Sequence, residues 1–354
     1  MWRFIIRRII WSIPVILLLM LTVFSMMRAL PGGPFDFEGD KSLAKAVTDN
    51  LERRHHLDWS EPWQFVSYVL GDDVAGAVCE SVSSIPGCDK VLDGYKAGVS
   101  KGVIRGDLGM AMRQRGRTIN DIIGESFPVS LQLGLMAIAF GLLTGVPLGT
   151  IAALKQNTAI DYAASFFAVL GLSVPSLVLG PVLIWIFALK LGWFPVSTWG
   201  AQPPFFLGFI PTPTKAFFMH AALPVTALGL ALTASIARLT RASLLQVIGE
   251  DYIRTARAKG LPQATLIVRH ALRNSLIPVV TILGPLTAAV VTGSFVTEFV
   301  FGIPGMGKHF ITSINNRDYS MISGVTLVYA LLLVIANMIV DIVYAWLDPR
   351  IKFD

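Results

Sequence analysis

IIWSIPVILLLMLTVFSMM, residues 9–27, contains nineteen residues and no charge. A helix rises 1.5 Å per residue, so about 20 apolar residues cross the ~30 Å hydrocarbon layer of a bilayer. The stretch therefore reads as a membrane-crossing helix. Five more uncharged runs follow: 127–154, 162–189, 216–237 (with His220 as its one ionisable group), 274–297 and 319–340. Backbone polar groups in lipid must be satisfied within their own segment, so each run is expected to be helical. The fold class read from this pattern is an all-α integral membrane protein with six transmembrane helices. Composition agrees. Of 354 residues, 54% are hydrophobic and 15% charged, with a mean hydropathy of +0.64. A soluble domain carries about 25% charged residues. Pro147, Pro175, Pro181, Pro224 and Pro285 lie inside the runs and predict kinks.

Orientation follows from lysine and arginine in the short loops, which favour the cytoplasmic side. With the N-terminus inside, the inner segments hold thirteen, among them Arg7, Arg8, Arg254, Arg257, Lys259 and Arg350. The short outer loops hold four: Lys190, Lys215, Lys308 and Arg317. Both termini are expected to be cytoplasmic. The first run is longer than the 7–15 residues of a signal-peptide core, so it reads as a retained helix.

FGIPGMGKHF, residues 301–310, matches the G-x-x-x-x-G-K start of a phosphate-binding loop through Gly302, Gly307 and Lys308. His309 stands where that motif needs Ser or Thr for Mg²⁺, and a membrane span precedes it instead of a strand. On the outer side it reads as a Gly/Pro turn. The chain is thus expected to have no ATP site of its own. The spans lack charged residues at depth, which argues against a proton relay. They also lack clear internal repeats and hydrolase motifs, which disfavours a stand-alone secondary transporter and a membrane-embedded hydrolase.

Residues 249–278, GEDYIRTARAKGLPQATLIVRHALRNSLIP, fall in a cytoplasmic loop. Glu250 and Asp251 mark a helix start, where the dipole favours anions. Glu250 and Arg254 are spaced to pair. Gly260 reads as a left-handed cap, with Pro262 blocking continuation. Ala256 and Ala258 leave room for another backbone. The loop can be a basic surface held by lipid headgroups or a docking helix for a cytoplasmic partner.

The chain has two cysteines, Cys79 and Cys88, in CESVSSIPGC of the long outer loop. An oxidising compartment and the Pro86-Gly87 turn favour a disulfide between them. His55 and His56 are adjacent, lack metal-pair spacing and read as solvent-exposed. His220 and His270 read as hydrogen-bonded structural residues. Asp341 and Asp348, near the inner end of the sixth run, read as helix-end or loop salt-bridge residues.

RTARAKGL (254–261) followed by RHALRNSLIPV (269–279) resembles the EAA loop of bacterial ABC-importer permeases, most closely the dipeptide/oligopeptide permease family. Other segments are similar to that family in order: RRIIWSIPVILLLMLTVFSMMRALPGGP (7–34), GDLGMAM (106–112), GLSVPSLVLG (171–180), LGWFP (191–195), EFVFGIPGMGKHF (298–310) and DIVYAWLDPRIKFD (341–354). Arg254 replaces the general glutamate, Glu61 is inserted before Pro62, and residues 71–104 form a stretch the family usually lacks.

The resemblance implies an ABC type I importer permease fold in a bacterial or archaeal inner or plasma membrane. It divides the chain into an N-terminal end and first helix (1–30), an extracytoplasmic loop with an insert at about 71–104 (31–126), a five-helix core with the coupling loop at 249–278 (127–346) and a tail (347–354). It implies a sister permease subunit, two cytoplasmic ATPase subunits that bind ATP and Mg²⁺, and an extracytoplasmic solute-binding protein. The cargo would be di- or oligopeptides, with nickel chelates or oligosaccharides as alternatives. Ile253, Arg254, Thr255, Ala256, Arg257, Ala258, Gly260 and Leu261 would couple to an ATPase. Gly171, Ser173, Pro175, Gly284 and Pro285 are candidates for pore lining or for close helix packing.

Overall fold

A computed structural model describes residues 2–29, 32–35, 45–82, 85–95, 100–114, 116–196, 198–200 and 214–347. The sequence reading of 348–354, including Asp348, lies outside the described residues, as do residues 83–84 and 96–99 of the proposed insert. Among the described residues the structure is helical apart from one isolated bridge, Met110 to Thr118. In chain order come α1 (Trp2–Ala29), α2 (Lys45–Arg54), α3 (Glu61–Leu70), α4 (Asp72–Ser81) and α5 (Cys88–Gly94). They are followed by α6 (Ile119–Leu154), α7 (Ala159–Ser173), α8 (Ser176–Leu183), α9 (Lys215–Ile248) and α10 (Asp251–Ala258). The last are α11 (Gln263–Thr265), α12 (Arg273–Ser275), α13 (Ile277–Val300), α14 (Met306–Asn316) and α15 (Tyr319–Leu347).

Five helical segments are long and apolar enough to cross a membrane, and a sixth span results if the bent pair α7–α8 counts as one. That bend corrects the reading of 162–189 as a single kinked helix. The two halves meet at 107°. The cause is local: Pro175 has no N–H to donate and forces Val174 into the extended region, φ −91° and ψ 115°. Pro147 and Pro224, by contrast, sit inside unbroken helices. The fifth helical path starts at Gln263, before its apolar run, and passes through a π-helical stretch at Leu266–Leu272.

Two compact units emerge. The first comprises Met1–Arg8, Phe127–Lys308 and Leu331–Asp354. Its centre is α9, whose buried residues run from Phe217 to Leu244. Helices in lipid gain little by hiding leucine from lipid, so close approach of backbones must hold them together. Gly141, Gly145 and Gly149 repeat every fourth residue on α6 and meet Leu232, Thr233, Ile236, Ala237 and Thr240 of α9. A Cβ on Gly145 would stand 2.8 Å from the Thr233 carbonyl oxygen. The Thr144 and Thr233 hydroxyls lie 2.7 Å apart beside this contact. At the start of α7, the Asp161 carboxylate accepts two bonds from Arg241, at 2.6 and 2.7 Å. Both residues lie just beyond the uncharged runs, because the helices extend further than the runs do.

The second unit comprises Ile9–Ser126 and His309–Ala330. Its small core contains Trp59, Trp63, Ala75, Cys79, Cys88 and Val91. A disulfide joins Cys79 of α4 to Cys88 of α5, with Cα atoms 5.2 Å apart. Asp72 is buried under this core. Its carboxylate accepts from Ser67 Oγ at 2.5 Å and from the Ser100 N–H at 3.0 Å, and faces His56 Nε2 at 3.1 Å. Burial alone would raise the Asp72 pKa, but bonds with His56 and Ser67 hold it below its ordinary value. The expectation that both histidines are exposed is therefore wrong for His56, which is buried and stacks on Trp59 at 4.0 Å. His55 is half-buried, and burial lowers its pKa. Asp318 begins α15, accepting from the N–H groups of Met321, Met112 and Arg113.

The glycine contact yields a test. Gly145→Leu must push α6 off the α9 backbone, at a cost of about 1–3 kcal/mol. Thermal unfolding in detergent should show a clearly lowered midpoint, whereas Leu143→Ala, at a highly exposed position on the same helix, should leave it nearly unchanged.

Candidate functional site

The chain leaves α9 at Ile248, turns at Gly249 and enters α10 at once. One face of α10 is fixed. Ile253 is fully buried among Ala153, Leu244, Leu266, Ile267 and Ala271, and Ala256, three residues on, packs against the same cluster. This corrects the reading of Ile253 as a contact for a partner. The side chain is consumed by the chain's own core, where it anchors the helix. Arg254, Thr255, Arg257 and Ala258 are exposed. Leu261 is half-buried. The Tyr252 hydroxyl accepts from Asn274 Nδ2 at 2.8 Å, tying α10 to α12.

The end signals of α10 work largely as their residue types demand. Gly260 has φ +77°, and a Cβ there would meet nothing within 4 Å. Glycine is required by the backbone conformation, not by crowding. Arg254 reaches Asp251 at 3.6 Å, with both side chains mostly exposed. The expected Glu250–Arg254 pairing is not the one formed, because Glu250 is the extended N-cap residue, ψ 149°, outside the helical repeat. The π-helical stretch at 266–272 supplies three of the five buried residues around Ile253.

The pore candidates divide. Gly171 lets α7 approach α9, since a Cβ would lie 3.1 Å from the Leu230 carbonyl oxygen. The Ser173 hydroxyl donates to the Val169 carbonyl of its own helix at 2.8 Å. Pro175 caps α8 after the break. Gly284 is buried in α13, and the Pro285 side chain lies outside the described residues. His220 bonds Thr198 Oγ1 through Nδ1 at 3.2 Å, and His270 is half-buried in the π-helical stretch. The Asp341 side chain also lies outside the described residues.

The 301–310 stretch does wrap an anion, but the anion is the chain's own. Glu298, fully buried in the last turn of α13, accepts from the Gly307 N–H at 2.7 Å. Ser130 Oγ accepts from the Met306 N–H at 2.9 Å. Two of the four free N–H groups at the start of α14 are thereby satisfied by residues of α13 and α6. Glycine is needed at 305 and 307 because a Cβ would strike Glu298 and Ser130 at the first and Phe295 at the second. Sequence reading missed Glu298. Its signal was a lone carboxylate one residue past an apolar run and four before a glycine-rich turn. Glu298→Ala leaves the Gly307 donor buried without its partner, a loss of about 1–3 kcal/mol. The expected result is a lowered unfolding midpoint with Glu298→Gln falling between wild type and Ala; equal midpoints for all three would show that the bond contributes nothing.

Comparison with known proteins accords with this arrangement. Residues 145–353, which include α10, the π-helical stretch and the Glu298 turn, match the family described as "Binding-protein-dependent transport system inner membrane component". The dipeptide transport system permease protein DppB of Bacillus subtilis is 40% identical over 99% of this chain and 98% of its own length. The oligopeptide transport system permease protein OppB of Escherichia coli is 36% identical over the full length of both chains. Among solved structures, the MetNI methionine ABC transporter in an inward-facing conformation aligns with 64% of this chain and 96% of its own, at a TM-score of 0.52 and 15% identity, a likeness of fold alone. On its sequence and its helical architecture, this chain belongs to the inner membrane permease family of binding-protein-dependent ABC transport systems.

Proposed function

We propose that this chain is one of two permease subunits of an ATP-driven importer and forms half of a translocation pathway for di- and oligopeptides. The peptide assignment is supported by relatives similar over the whole length and named for dipeptide or oligopeptide transport. Two ATPase subunits bind ATP and Mg²⁺ on the cytoplasmic side, and a solute-binding protein delivers cargo from the other side. The chain sits in the plasma membrane with both termini and α10 in the cytoplasm, an orientation supported by the lysine and arginine bias.

The observation that carries this reading is the two-faced anchoring of α10. Its inner face is locked by Ile253 in an apolar seat built from α6, α9 and the π-helical stretch. Its outer face presents two arginines and the small Ala258. A partner closing on that face would push a rigid lever rather than a loop. The displacement would pass through Ile253 and the Tyr252–Asn274 bond to α9 and α12. Such a lever requires no reactive side chain. It requires a fixed base, a surface that admits another backbone and a small cap, and Gly260 supplies the cap.

Affinity purification of the tagged chain from its native membrane should recover a second permease and two ATPase subunits. Ala258→Trp combined with Arg257→Glu alters the exposed face alone, so it should release the ATPases while retaining the sister permease. Recovery of a lone chain, transport-competent in liposomes, would overturn the assignment. Uptake of an oligosaccharide or a nickel chelate, and of no peptide, by the liposome-reconstituted complex would replace the cargo and keep the mechanism.

A further inference from the structure

The second unit contains a half-open cavity of about 90 Å³ with an unusual charge pattern. Among the described residues its lining includes Arg28, Arg54, His55 and His56 and no carboxylate. Hydroxyl groups complete the wall, from Ser67, Tyr68, Ser100, Ser320 and Ser323 among others. Among the described residues both guanidiniums meet only neutral groups at bonding distance. Arg28 donates from Nε to Gln64 Oε1 at 2.9 Å and lies 3.3 Å over the Phe24 ring. Arg54 Nη2 touches Met110 Sδ at 3.7 Å. Glu61 lies near enough to attract Arg28 but is not bonded to it.

Two other nearby carboxylates, Asp72 and Asp318, are engaged elsewhere. Asp72 is bonded to Ser67 and Ser100 and paired with His56. Asp318 accepts from three backbone N–H groups. Tyr68 and His56, which line the cavity, each carry a buried polar atom, Tyr68 OH and His56 Nδ1, with no bonding partner among the described residues. Arg28 is half-buried while Arg54 is exposed, and a half-buried cation with no anion at bonding distance is costly. An oxyanion would satisfy it, because guanidinium pairs well with phosphate.

Depth in the membrane indicates the source. Arg28 lies in the last turn of α1, and Tyr319, Ser320 and Ser323 open α15. Both helices are membrane spans, and the Tyr319 hydroxyl donates to the Gly32 carbonyl at 3.2 Å. The cavity thus sits where two spans leave the hydrocarbon, at headgroup level. Only 11% of the apolar window of α1 is buried, which leaves most of that helix surface open to lipid. A cavity of about 90 Å³ has room for a compact group and not for a peptide chain.

We propose that this cavity binds a phosphate oxyanion and that the phosphate belongs to the headgroup of a phospholipid in the leaflet where α1 ends. The site is independent of the cargo and of the ATPase partners. The test is native mass spectrometry of the intact detergent-purified protein, with its accompanying subunits, titrated with phosphatidylglycerol and separately with inorganic phosphate. Wild type should retain one phospholipid. Arg28→Gln and Arg54→Gln should each weaken retention about tenfold, the factor expected for loss of a charge-assisted bond, while Arg54→Lys should keep most of it. If a glutamine variant fails to fold, wild-type melting supplies the second readout. Phosphatidylglycerol should raise the midpoint, and a phosphate-free glycolipid of the same chain length should not. Arginine-dependent binding of inorganic phosphate without retained lipid would keep the oxyanion site and overturn the lipid source. Equal lipid retention by wild type and both glutamine variants, or equal stabilisation by the glycolipid, would overturn the proposal.

Discussion

Close approach between α6 and α9 is the constraint on which the membrane core depends. Lipid tails are as apolar as leucine, so burial alone gives two helices little reason to associate. Gly141, Gly145 and Gly149 remove the side chains that would hold the backbones apart, and the Thr144–Thr233 contact fixes their register. The consequence reaches the end of the first unit that carries α10. Ala153, at the end of α6, and Leu244, on α9, form part of the pocket that receives Ile253. A shift of one helix along the other would dissolve that pocket and free α10. The same glycines that make the core thus give the lever its base.

The two ends of the permease unit use one device in opposite ways. At 301–310 a short helix begins with bare N–H groups, and the chain satisfies them internally through Glu298 and Ser130. That end is closed. At α10 the helix begins with Glu250 and Asp251 and keeps its polar face outward, because the apolar face is occupied by its own core. That end is open to a partner. A sequence resembling a nucleotide loop is therefore a self-capped turn.

Much of this was legible in the sequence, for reasons specific to membranes. An uncharged run of nineteen residues at 9–27 leaves almost no alternative to a helix, and Gly260 followed by Pro262 fixes where α10 must stop. Other features were hidden because they depend on what meets in space. The sharp bend at Pro175 could not be separated from the mild effect of Pro147 or Pro224 by residue type. Ile253 looked like an interface residue because it lies in a loop, yet the π-helical stretch at 266–272 carries Leu266, Ile267 and Ala271 beneath it. His56 looked exposed until Asp72, sixteen residues on, was found beside it. Glu298 looked like the end of a span and proved to be the cap of the next helix.

The central claim is that α10 offers its outer face to an ATPase while Ile253 holds it from within. Its two cysteines are joined to each other and none is free, so an introduced thiol is the chain's one reactive site. Ala258→Cys and Ile253→Cys should be compared for crosslinking to the ATPase subunit in native membranes, with and without ATP. The account predicts a crosslink at 258 whose yield changes with ATP, and none at 253. A crosslink at 253, or silence at 258 in an active transporter, would contradict it.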